Sequence, residues 1–149
     1  MPIVPSLRLT RARDVARDAA ARSGAPAVDP APLVGTWVSF DAATRGIVRV
    51  VVASRGGRLA VRAFGAASPA PHDWGEVPGD AFAGSVDTAA AVGFTARYRF
   101  GFVDTLLAAY LNRRLLVVDS YNAFGDGSGR SSYFSRDHFH QPAESASRA

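Results

Sequence analysis

The stretch Val92-Gly93-Phe94-Thr95-Ala96-Arg97-Tyr98-Arg99-Phe100 alternates from end to end, with Val92, Phe94, Ala96, Tyr98 and Phe100 on one side of an extended chain and Gly93, Thr95, Arg97 and Arg99 on the other. A period of two, with arginines on the polar side, predicts a β-strand with one face in a core and one in water. Working outward, residues 36–41, 47–54 and 58–64 read as strands, with Arg55-Gly56-Gly57 as a tight turn between the last two. A long Pro- and Gly-rich loop is expected over residues 65–79, followed by a fourth strand at 82–87. Residues 105–112, 115–124 and 131–139 complete the series, joined by Asn112-Arg113-Arg114 and by the glycine-rich segment 125–130.

These connections are short, and no crossover helix separates the strands. Parallel pairing needs such crossovers, so the sheet is expected to be antiparallel and up-and-down. Eight such strands can close into a barrel that has no free edge and encloses side chains or one small ligand. A two-sheet sandwich is the competing arrangement. The expected fold is therefore all-β, an eight-stranded antiparallel barrel over residues 33–140.

Composition agrees with a single globular domain. The chain has 149 residues, 48% hydrophobic and 20% charged. It has no cysteine, which excludes a disulfide scaffold, a thiolate metal site and a cysteine nucleophile. Its net charge of +4 rests on 17 arginines and no lysine. The arginines run from Arg8 to Arg148 and alternate with aspartates rather than forming the basic stripe of a nucleic-acid binder. No apolar run reaches the roughly 20 residues of a membrane span. Arg8, Arg11, Arg13 and Asp14 interrupt any signal-peptide core, so a cytoplasmic location is expected.

Residues 1–32 have a different character. Residues 10–22 are rich in alanine and charge, with Asp14 and Asp18 spaced to pair with Arg17 and Arg22, and they predict a short α-helical extension, with a disordered one as the alternative. Ser23-Gly24-Ala25-Pro26 stops that helix, and Asp29-Pro30-Ala31-Pro32 reads as a linker. Residues 141–149 read as a disordered tail.

Leu33-Val34-Gly35-Thr36-Trp37 resembles the Gly-x-Trp entry of the calycins, which include lipocalins, fatty-acid-binding proteins and avidins. The resemblance implies a barrel whose closed end is plugged by Trp37, with Arg136 from the last strand packed over the indole. Further stretches resemble a family of small bacterial proteins of unknown function: Thr44-Arg45-Gly46-Ile47, Ala63-Phe64-Gly65, Asp73-Trp74-Gly75-Glu76 and Asp126-Gly127-Ser128-Gly129-Arg130. That resemblance spans residues 33–140 and implies a fold more than an activity. By analogy with lipocalins it implies a small apolar ligand inside the barrel.

The candidate wall of such a ligand site is Phe94, Tyr98, Phe100, Tyr110 and Tyr121, with Trp74 in the long loop as a cap. The alternative is that these rings only fill a narrow core. Asp119 and Tyr121 are the candidate catalytic pair. If Leu115, Val117 and Tyr121 face inward, Asp119 lies with them, and a buried carboxyl has a raised pKa suited to acid or base work. In the other register Asp119 is an exposed aspartate paired with an arginine. His138 and His140 share a strand face, but no compact ligand motif accompanies them, and neither a metal nor a cofactor is expected. Gly125-Asp126-Gly127-Ser128-Gly129 is neither a phosphate loop nor a nucleophile elbow. Three functions remain in view: binding a small, largely apolar molecule; a cyclase or isomerase of secondary metabolism; and a ligandless interaction module whose outer strands make a homodimer. Nucleic-acid and membrane partners are not expected.

Overall fold

The computed structural model describes residues 28–143. Its eight strands are β1 (Gly35–Ser39), β2 (Ile47–Arg55), β3 (Arg58–Gly65), β4 (His72–Ala83), β5 (Ala91–Arg99), β6 (Val103–Asn112), β7 (Leu115–Phe124) and β8 (Tyr133–His140). Each pairs antiparallel with its neighbours in sequence, and β1 meets β8 through Val38–His140 and Ser39–Phe139 to close the barrel. The fold is thus an all-β, eight-stranded, up-and-down antiparallel barrel. The helix expected over residues 10–22 lies outside the described residues.

The stretch expected to be a loop at residues 65–79 is mostly strand. β4 begins at His72, and only residues 66–71 connect it to β3. Its glycines and proline mark tight packing and irregular pairing. A Cβ on Gly79 would lie 2.9 Å from Leu59 Cδ2 and 3.2 Å from the Thr95 carbonyl oxygen, so β4 can close against β3 and β5 there only without a side chain. The strand expected at residues 82–87 shrinks to the end of β4 for a related reason. The ladder slips between Phe82 and Ala83, so that Phe82 faces Gly93 while Ala83 faces Ala91. This bulge turns Val92 outward, against the plain alternation, and puts Ala91 into the core in its place.

One end of the barrel is packed solid. Leu33, Val50, Val61, Leu107, Leu116 and Phe139 are fully enclosed there, around a nearly buried Trp37. Residues 28–34 cross this end rather than forming a free linker. Asp29 bridges Ala90, a short 3-10 turn spans Ala31–Leu33, and the Trp37 indole N–H donates to the Leu33 carbonyl at 2.9 Å. Gly35, at φ 144°, leaves room for Gln141, whose amide donates to the Val34 carbonyl. Arg136 does not cover Trp37. Phe139 is fully buried, and three residues back along a strand lies the opposite face, so Arg136 stands on the outer wall.

Two features hold the register. The β6–β7 connection is a two-residue turn, Arg113-Arg114, with Asn112 facing Leu115 and Arg113 at φ 60°. On the far side, the β3–β4 ladder slips between Arg62 and Phe64, and the Tyr98 hydroxyl fills the gap from inside. It accepts from the Ala63 N–H at 3.0 Å and donates to the Gly75 carbonyl at 2.8 Å. Tyr98→Phe should cost about 1–3 kcal/mol in urea unfolding, because buried backbone groups lose their partner. Arg113→Gly should instead stabilise the chain by up to about 1 kcal/mol in the same assay, since glycine accepts positive φ without a Cβ clash.

Candidate functional site

The register sets the interior out in rows. Tyr98, Thr105, Asn122 and Tyr133 pair across β5–β8; below them come Ala96, Leu107, Ser120 and Ser135, then Phe94, Ala109, Val118 and Asp137. The lower rows run into the packed end on most of the circumference. Toward the other end, where the 40–46, 66–71, 100–102 and 125–132 connections lie, the barrel opens into a cup of about 480 Å³. Trp74, Phe100, Phe102, Phe124 and Tyr133 supply aromatic surface to it. Thr105, Ser120, Asn122, Ser135 and Asp137 make a polar wall on three consecutive strands, and Arg45, His72 and Arg130 line it as well. A second hollow of about 520 Å³ runs along the outer wall by Pro78, Arg97 and Leu106, with no aromatic side chain in its lining.

The cup is partly pre-organised. Trp74 meets Tyr98 and Phe100 edge-on, at ring separations of 5.4 and 5.2 Å. Thr105 Oγ1 donates to Asn122 Oδ1 at 2.8 Å, which turns the asparagine's NH₂ away from that bond. At the rim, Arg130 is held by Asp126 at 2.7 Å and lies over the Phe124 ring at 4.3 Å. The Ser128 hydroxyl and backbone N–H, together with Arg130, hold the Asp126 carboxyl down at about 2. Asp137 is different. Burial, and after it the charge of Asp41, raises its pKa, while nearby His138 offsets this in part. Among the described residues its carboxylate makes neither an ion pair nor a side-chain hydrogen bond.

The residues expected at the site are divided by the barrel wall. Phe100 and Trp74 line the cup, and Trp74 does so from strand β4 rather than from a capping loop. Phe94 and Tyr98 point inward but belong to the packed core rather than to the lining of the cup. Tyr110 and Tyr121 are on the outer surface, 42% and 49% exposed. Asp119 is outward as well, but it is buried there, only 8% exposed, rather than the exposed aspartate of the second register. Arg136 binds it through two bonds, Nε to Oδ1 at 2.7 Å and an Nη to Oδ2 at 3.0 Å, which raises the arginine's pKa further. Asp119 and Tyr121 therefore share a face, but it is the outer one, where the Tyr121 ring tilts against Phe134 at 5.2 Å.

The inward polar wall, Asp137 included, is what the sequence reading missed. Both faces of β7 begin apolar, Leu115 and Val117 on one side and Leu116 and Val118 on the other, so that strand alone does not orient itself. The signal lay in the turn. If Asn112-Arg113-Arg114 were a three-residue connection, Leu111 and Leu115 would share a face and Asp119 would point inward. With Arg113-Arg114 as a two-residue turn, Leu116, Val118 and Ser120 point inward and Asp119 points out.

His138 and His140 do share the outer face of β8, with the His140 ring 4.5 Å from that of Phe40. Among the described residues no three His, Asp or Glu side chains gather as a metal site requires. No helix among them is long and apolar enough to cross a membrane. No protein-family model, curated protein or solved structure matches the chain.

A carboxyl whose pKa rises on folding favours the folded state while protonated and opposes it while ionised. Asp137→Asn should therefore stabilise the chain at pH 7, by less than about 1 kcal/mol because the group keeps contact with solvent. The gain should fade as the pH falls through the elevated pKa and be gone below the ordinary aspartate range, about 4, as read by urea melts at a series of pH values.

Proposed function

We propose that this chain binds a small molecule in the open cup of the barrel. The observation that carries the reading is the cup itself. Its volume of about 480 Å³ falls within the range of about 300–1,000 Å³ in which proteins hold small ligands. Its lining pairs flat aromatic surface, which rewards burial of an apolar ring, with a hydrogen-bonding wall that fixes orientation. The sequence alone suggested a largely apolar guest. Thr105, Ser120, Asn122, Ser135 and Asp137 favour an amphipathic one, apolar toward Trp74 and Phe100 and polar toward β6–β8. The closed up-and-down barrel agrees with the calycin-like resemblance, and that analogy adds support from fold only.

A second reading has one observation behind it. A carboxyl whose pKa is raised by burial inside a cavity is suited to exchange a proton with a bound substrate, so Asp137 would serve a cyclase or isomerase better than Asp119 or Tyr121. Binding precedes either role.

A neutral N-phenyl-naphthylamine dye, which brightens in apolar surroundings, tests the reading. It should bind saturably, and Ser120→Phe, which fills the cup from its wall, should weaken it by at least about tenfold. Tyr121→Ala on the outer face should leave its affinity within about twofold. Binding that ignores Ser120→Phe in a folded variant but is lost with Tyr121→Ala would move the site to the outer wall.

A further inference from the structure

Resting on the cup as the binding site, we infer that its preferred ligands carry a protonated amine beside a flat apolar ring, with the Asp137 carboxylate as the counter-charge. Asp137 is the one carboxylate in the lining. Four other carboxylates are already paired with arginines: Glu76 with Arg55, Asp73 with Arg62, Asp126 with Arg130, and Asp119 with Arg136. Asp137 alone among these groups keeps its acceptor oxygens free while turned into a cavity.

Space and surroundings agree with that assignment. The carboxylate lies beside Gly46, where a Cβ would rest in ordinary contact at 3.7 Å from Oδ2, so no side chain from that position stands over it. Aromatic faces from Phe100, Tyr133 and Trp74 line the same hollow, and such faces attract a cation as well as an apolar ring. The charges around Asp137 are of both signs. Asp41 in the β1–β2 connection opposes its ionisation, and His138 on the outer face of β8 favours it. Arg45, His72 and Arg130 also line the cup, but none of them forms an ion pair with Asp137. The charge of Arg130 is balanced by Asp126. A bound ammonium would supply the missing partner and remove the cost of a half-buried, like-charged carboxylate.

The test uses three ligands of nearly one shape: naphthylmethylamine, naphthylmethanol and naphthoate, each competing with the neutral dye at pH 7. The amine should displace the dye at least about tenfold more tightly than the alcohol, and naphthoate should be the weakest. Asp137→Asn should bring amine and alcohol to the same affinity, whereas Asp119→Asn on the outer wall should preserve the difference. Equal binding of amine and alcohol, a preference that survives Asp137→Asn, or naphthoate as the tightest ligand would each overturn the inference while leaving the cup reading intact. Naphthoate as the tightest ligand would hand control to Arg45, His72 and Arg130. Failure of the dye itself to bind would remove the cup reading and this inference together.

Discussion

A closed sheet has one interior, and the pleat ties the face of every residue to the register of its neighbour. Once β5 is oriented, each hairpin passes that orientation on, and a slip of one residue anywhere exchanges inside for outside in the next strand. In this barrel the consequence is chemical. Rows that begin at Phe94, Ala96 and Tyr98 on β5 end at Asp137, Ser135 and Tyr133 on β8, so one alternation places both the core and the polar wall of the cup. The Arg113-Arg114 turn is where this chain of dependence is most exposed. It decides whether the carboxylate facing the cavity is Asp119 or Asp137.

The two ends of the barrel follow from how the strands are filled. Leu33, Trp37, Leu107, Leu116 and Phe139 crowd one end, and residues 28–34 fold across it. At the other end the same strands carry Thr105, Ser120, Asn122 and Ser135, too small to fill the space between the rings of Phe100, Phe124 and Tyr133. Stability is thus concentrated at the closed end, and the open end is free to be a cavity. Asp137 belongs to this second region. Its raised pKa is the mark of a group placed at some expense to the fold, as functional carboxyls often are.

How much of this was legible depended on whether a strand carried its own orientation. β5 did, because Arg97 and Arg99 cannot be buried and Phe94 and Tyr98 gain by burial; its inward face was read correctly apart from Val92, which the bulge turns out. β6 and β7 did not. Leu106-Leu107-Ala108-Ala109 and Leu115-Leu116-Val117-Val118 are apolar on both sides, and on the outer side of β7 Val117 is buried all the same. Tyr110 and Tyr121, expected in the cavity wall, accordingly lie outside, and Asp119, whose side the strand left open, lies outside with them. β4 was hidden for another reason: Gly75, Pro78 and Gly79 carry the composition of a loop, but Gly79 sits where strands press together and Gly75 supplies a positive φ beside the slip in the β3–β4 ladder. The fold was therefore readable from spacing, while the site required the length of one turn.

The most direct measurement is a crystal structure of the chain with the N-phenyl-naphthylamine dye bound. Its rings are expected inside the cup against Phe100 and Trp74, with the Asp137 carboxylate facing the same space and Asp119 still bound to Arg136 outside. A filled cup with no room for the dye, or a dye seated on Tyr121 and Phe134, would contradict this placement of the site.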